Sequence, residues 1–196
     1  LEDAELERTV MDMWRRHLEF MLPDGAWDNS FGSRHDKWTY YGSRTSDGAG
    51  TGLCYIWDKD PVLAEAAERN FELIRACSKD GYLYGGRMYI EAGEEPCLHH
   101  SFTHAKSLAA MIDHGFIHRK RAALPREEKY THKHIAASNV ELISLGDFRA
   151  TVSGNDAFHH KGACTGGGCM TMLWHERVGA IFDATMAKYE RAEPVN

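Results

Sequence analysis

DGAWDNSFGSRHDKWTYYGSRTSDG, residues 24–48, separates two segments that carry helical periodicity. A connection between packed helices usually takes a handful of polar residues. This one sets Trp27, Phe31, Trp38, Tyr40 and Tyr41 among glycines, together with His35, Arg34 and Arg44. Long loops of that texture have one common home, the open end of a helical barrel that binds sugars. Aromatic faces stack on pyranose rings, glycines let the backbone come close, and arginine grips a carboxylate with two parallel hydrogen bonds. A tyrosine beside a cation can serve as acid or base. The competing reading is an ordered loop whose aromatics are simply core.

Upstream of the loop, Val10, Met13, Trp14, Leu18 and Met21 recur at helical spacing over residues 2–21, and acidic residues fill the first turn. Leu22-Pro23-Asp24-Gly25 stops that helix. Downstream, Asp60-Pro61 opens a second, with Asp as N-cap and Pro at the first helical position. It points Val62, Leu63, Ala66, Phe71, Ile74 and Cys77 inward and ends before Asp80-Gly81. A second glycine- and tyrosine-rich connection, GYLYGGRMYIEAGEEP, runs to Pro96, and a third helix is expected from about Cys97 to Asp113. Residues 116–136 are basic and histidine-bearing and read as a linker. From Asn139 the texture alternates as VELISL, DFRATVSG, CMTMLWHE and VGAIFDATMAKY, with glycine-rich turns between. Alanine and methionine make the last run the weakest strand. Helices first and strands second is the α+β pattern.

The chain has 196 residues, a net charge of −6 and no lysine/arginine run, which argues against nucleic acid as the main partner. No apolar run approaches the roughly 18 residues of a membrane span, so a membrane partner is not expected either. The five cysteines, Cys54, Cys77, Cys97, Cys164 and Cys169, are scattered and read as free or buried thiols. The chain opens directly on a helix at Leu1 and carries no signal peptide, and reads as a piece of something longer or a processed chain.

The 24–48 segment resembles the DG[S/A][F/W]…Y-x-G segment of the heparinase II/III-type, alginate lyase-like polysaccharide lyases. HHKGACTGGGCMTMLWHERVG, residues 159–179, is similar to the first sandwich strands of the same family. The resemblance implies an incomplete α/α toroid followed by antiparallel β-sandwich strands: a helical segment over 1–118, a linker over 119–138 and a sandwich-like segment over 139–196. The implied chemistry is β-elimination on a uronic-acid-containing glycan. A polar or cationic group neutralises the uronate carboxyl, and a tyrosine or histidine removes the C5 proton. Carried over, the family tyrosine falls on Tyr41, with Tyr40 its close rival. Arg44 is placed to bind a carboxylate, and His35 to act as a second base or neutraliser. Trp27 and Trp38 would be stacking platforms, and Asn29 and Tyr40 substrate contacts. The resemblance also implies an acidic polysaccharide partner and secretion or a periplasmic location. The family commonly carries H-x-H-x-D in the sandwich, whereas here the matching turn reads KGACTGGGC with His159-His160 upstream. No metal ligands are therefore assigned, although a structural divalent cation, zinc or calcium, would be in keeping with the family.

The chain has twelve histidines. His100 and His104 share one face of the third helix at i, i+4, and His99 joins them. Ser101 stands where a zinc protease would need glutamate, so His99, His100 and His104 read as sugar or carboxylate contacts, with His100 also a catalytic candidate. His132-x-His134 would lie on one side of an extended segment and could share a metal with His159 or His160. His175 reads as structural. Gly166-Gly167-Gly168 lacks the spacing of a phosphate loop and reads as a turn or bulge. Three other classes stay open: a toroid glycoside hydrolase using carboxylates such as Asp28 and Asp47, a non-catalytic glycan-binding protein, and a metal-binding or structural module. Three helices cannot close a toroid, so an oligomer or the remainder of a longer chain is expected to cover the exposed faces.

Overall fold

The computed structural model describes residues 3–28, 30, 52–53, 55–84, 87–96, 98–115, 122–128, 131–154, 157–160, 163–165 and 168–183, with backbone alone at 87–88, 99–100, 102–104, 107, 157–160, 163–165 and 183. The chain divides into two compact units, Leu1–Trp27 with Tyr40–Glu128, and Asp28–Thr39 with Lys129–Asn196.

Helix α1, Ala4–Leu18, begins where Asp3 Oδ1 accepts from the Glu5 and Leu6 amides, each at 3.0 Å. Glu5 and Glu7 at its start and Arg15, Arg16 and His17 at its end complement the helix dipole. Helix α2, Pro61–Ala76, starts as expected: Asp60 caps it by accepting from the Val62 amide at 2.9 Å, and Pro61 stands in the first turn. Met11 and Leu18 of α1 pack with Leu63, Ala66 and Ala67 of α2, and Met21, Trp27, Leu53 and Leu124 complete the cluster. Each large apolar side chain fully buried there contributes roughly 1.5–3 kcal/mol.

The second glycine-rich connection is more ordered than its composition suggests. Strands β1, Ser78–Lys79, and β2, Tyr82–Leu83, form a hairpin whose two turn residues, Asp80 and Gly81, have φ of 54° and 81°. Asp-Gly at positive φ is the preferred chemistry of that turn. A short helix α3, Arg87–Ala92, follows, and α4 spans Leu98–Asp113. Leu124, Pro125 and Arg126 were expected in a linker, but Leu124 and Arg126 are buried and a 3-10 turn covers Pro125–Glu127.

The second unit is built on a five-stranded antiparallel sheet, β3 Lys133–Ile135, β4 Val140–Leu145, β5 Phe148–Ser153, β8 Cys169–His175 and β9 Gly179–Asp183, in the order β3-β4-β5-β8-β9. Strands β6, Ala157–His160, and β7, Ala163–Thr165, form a separate hairpin. Alternation along β4 and β5 buries Val140, Leu142, Ser144, Arg149, Thr151 and Ser153. Gly146 at φ 56° opens the two-residue turn between these strands. Strand β3 also lies inside the expected linker. Its three residues include Lys133 and His134, too few and too polar to stand out as a strand. On β8 the pairing runs Thr151↔Met172 and then Val152↔Met170, so Thr171 is an inserted residue. Such a bulge re-aims a side chain, and here it has a direct consequence for the loop at residue 28. Among the described residues no helix is long and apolar enough to cross a membrane.

Candidate functional site

The start of the aromatic loop is fixed in place. After α1 the chain turns at Leu22–Gly25, where the Gly25 amide donates to Leu22 O at 2.9 Å and the Leu22 amide to Ala26 O at 2.8 Å. Gly25 has φ +90°, and a Cβ there would lie 2.4 Å from Arg69 O and 2.8 Å from the Asn70 amide nitrogen of α2. Only glycine meets both demands. Asn70, buried, donates through Nδ2 to Gly25 O at 3.0 Å.

Arg69 ties three segments of this unit together. Its Nη1 donates to Pro23 O at 2.8 Å and lies 2.8 Å from Glu127 Oε1, while Nε lies 2.6 Å from Glu65 Oε1. Burial works against the charge of Arg69, but the hydrogen bonds and charges of Glu127 and Glu65 outweigh it and raise its pKa. Glu127 in turn accepts from the Leu124 amide at 2.7 Å. The turn before the loop and the 3-10 turn are thereby held to one side of α2.

Trp27 is 2% exposed and lies in the core cluster, forming an isolated bridge with Met21. This corrects its reading as a stacking platform. The backbone has already turned back onto the helices at residue 27, so the indole packs inward. The next residues belong to the second unit. Asp28 accepts from the Ser30 amide at 3.1 Å, from Ser30 Oγ at 2.6 Å and from the Thr151 hydroxyl, and Ser30 Oγ lies 3.0 Å from Thr171 Oγ1. All four residues are buried. Asp28 is thus spent on anchoring, which removes it from the carboxylates a hydrolase could use.

Asn29, His35, Trp38, Tyr40, Tyr41 and Arg44, and also Asp47, lie outside the described residues. His99, His100 and His104 belong to α4 through their backbone, and their side chains lie outside the described residues. Ser101 of the same helix accepts from the Leu83 amide at 2.7 Å and so pins the β1–β2 hairpin to α4.

His17 is a residue that sequence reasoning missed. Its ring lies 4.4 Å from that of Trp27, tilted 34°, and 5.8 Å from that of Trp14, edge-on at 79°. Desolvation by these neighbours holds its pKa below the ordinary histidine value, although the residue still reaches solvent. Its place after Arg15 and Arg16 reads as helix-end charge, which hid it. Its three-residue spacing from Trp14 was the available signal.

His132 and His134 do lie on one side, but Glu141 joins them. His134 Nδ1 is 2.6 Å from Glu141 Oε1, and His132 Nε2 meets Oε2. Desolvation pushes the Glu141 pKa up, yet the bonds and charges of the two histidines more than offset it and the net direction is down. His175 accepts from the Arg177 amide at 3.1 Å and packs edge-on against Phe148. Among the described residues no group of three His, Cys, Asp or Glu side chains is disposed to hold a metal.

No solved structure matches the chain. It is 45% identical over 202 residues to a broad-specificity ulvan lyase of Formosa agariphila, an alignment that covers 100% of this chain and 32% of the relative. The chain therefore spans about a third of the length of the curated relative it matches. The model of the ulvan lyase N-terminal domain matches residues 1–129, and that of the ulvan lyase C-terminal domain matches residues 132–196. With both models matched in order over nearly its whole length, the chain belongs to the ulvan lyase family of polysaccharide lyases.

Proposed function

We propose that the protein is a polysaccharide lyase that cleaves ulvan, a uronic-acid-containing glycan, by β-elimination. The observation that carries this reading is the 45% identity to an ulvan lyase along the whole of this chain. The rigid base of the 24–48 loop is in keeping with it. Catalysis by positioned groups needs them fixed to within a fraction of an ångström, and Gly25, Asn70 and Arg69 fix the point where the loop begins. The finer assignment to the heparinase II/III type, with its toroid and sandwich, belongs to the same proposal and rests on the resemblance of residues 24–48 and 159–179.

In this reading Arg44, with His35, His99 and His100, neutralises the substrate carboxylate and so acidifies the C5 proton. Tyr41 removes that proton. The electron pair forms the C4–C5 double bond, the C4–oxygen bond breaks, and the leaving oxygen takes a proton, from the same tyrosine in the simplest case. His104, Asn29, Tyr40 and Trp38 contact sugar. Secretion, and assembly with a second copy or with the rest of a longer chain, belong to the same proposal. The hydrolase alternative is weakened by Asp28, whose carboxylate is buried on Ser30 and Thr151.

The test is the ultraviolet absorbance of the unsaturated uronate released from ulvan by the full-length protein, wild type beside Tyr41→Phe. A rise in the wild type that Tyr41→Phe abolishes supports elimination with Tyr41 as acid/base. Reducing ends without an absorbance rise would indicate hydrolysis and overturn the proposal.

A further inference from the structure

Trp14, His17 and Trp27 form one cluster of rings. Trp14 is gripped by the backbone at Gly52, where an added Cβ would lie 2.7 Å from its ring. Trp27 is buried, and among the described residues its Nε1 has no hydrogen-bond acceptor. His17 packs on both tryptophans, yet among the described residues its ring nitrogens take no hydrogen bond and no ion pair. At an exposed residue those nitrogens are free to bond water or a ligand. Here the ring is oriented by aromatic packing alone, and the residue reaches solvent.

A positioned imidazole beside a half-buried indole has chemistry suited to a sugar. The indole offers an apolar face to a pyranose ring. The imidazole offers a donor and an acceptor to hydroxyls, or a donor to a carboxylate. The same cluster contains Trp27, the fourth residue of the loop segment, so the contact would lie at the foot of that loop.

We infer that Trp14 and His17 form a saccharide-binding subsite for a pyranose unit of the acidic glycan. The inference rests on the lyase reading, because it takes the glycan class from there. His17 is assigned to binding, and the proton chemistry stays with the loop.

The experiment uses the full-length protein and ulvan oligosaccharides as the probe. KM and kcat are measured for wild type, His17→Ala, His17→Gln and Trp14→Leu. Binding is measured by calorimetry in a Tyr41→Phe background, and thermal midpoints are recorded for each variant. The expected result for His17→Ala is a KM higher by roughly fivefold to tenfold, the worth of one or two hydrogen bonds, with calorimetric affinity lower by the same factor and kcat within about twofold. His17→Gln, which keeps a donor and an acceptor, should recover part of the loss. Unchanged KM and affinity in His17→Ala, with or without a lower thermal midpoint, would assign the cluster to packing and overturn the inference alone. A wild type that neither binds nor cleaves these oligosaccharides would overturn the lyase reading and the subsite with it.

Discussion

Gly25 and Arg69 stand backbone against backbone. A Cβ on Gly25 would sit 2.4 Å from the Arg69 carbonyl oxygen, and the glycine φ of +90° is itself unfavourable for any L side chain. Gly25→Ala should therefore destabilise the first unit twice over, by backbone displacement and by strain, for a total of about 2–4 kcal/mol. Chemical denaturation of wild type and variant checks the number. A loss under about 0.5 kcal/mol would mean that the α2 backbone yields freely and that the turn is not pinned there.

Arg69 is the electrostatic counterpart of that contact. Glu65 is only 2% exposed at its side chain, and Arg69 is its cation at 2.6 Å. Removing the arginine takes one partner from a buried carboxylate, which typically costs about 1–3 kcal/mol. Arg69→Met should show a loss of that order, and Arg69→Met with Glu65→Leu should regain most of it. Equal losses in the single and the double variant would point to the Pro23 carbonyl and Glu127 contacts as the dominant ones.

Parts of this fold were legible in the sequence because they depend on local chemistry. Asp60-Pro61 announces a helix start, and the cap is present at 2.9 Å. Gly146-Asp147 announces the β4–β5 turn, and Gly146 takes the positive φ it needs. Other parts depend on partners distant in sequence. Trp27 reads as exposed among glycines and polar residues, but Met21 and α2 bury it. Asp28 reads as a candidate carboxylate, and only its pairing with Thr151, 123 residues away, shows an anchor. Helix α3 lies between glycines and a proline that mask its short periodicity, and β3 is too short to alternate visibly.

The Asp28 anchor can be tested by isosteric exchange. Thr151→Val keeps the shape of the side chain and removes the hydroxyl that Asp28 accepts from. Leaving a buried polar group short of a partner costs about 1–3 kcal/mol, so the variant should lose stability in that range. Thr151→Ser keeps the hydroxyl and should lose less. Hydrogen exchange at the Ser30 amide, which Asp28 also holds at 3.1 Å, should speed up in Thr151→Val and stay slow in Thr151→Ser. Identical behaviour of the two variants would show that methyl packing, and not the hydrogen bond, is what matters at this position.

Two titrations should separate by pH. His17 has a folded pKa below its ordinary value of 6.5, because its neighbours disfavour the charged form. The unfolded chain therefore binds the proton first, and stability should fall as pH drops from about 6.5 and level off below the folded pKa. Glu141 behaves differently. Desolvation raises its pKa and the two histidines lower it further than that, so its contribution is present above its ordinary value of 4.5 and is lost only as pH falls through the depressed folded value. His17→Gln should flatten the pH dependence of the denaturation midpoint just below neutrality and leave the acid end intact. Glu141→Gln should do the reverse. Urea midpoints measured from pH 7.5 to 3 for the three proteins check both signs at once. A His17→Gln profile parallel to wild type between pH 6.5 and 5 would show that the imidazole is hydrated in the fold as freely as in the unfolded chain.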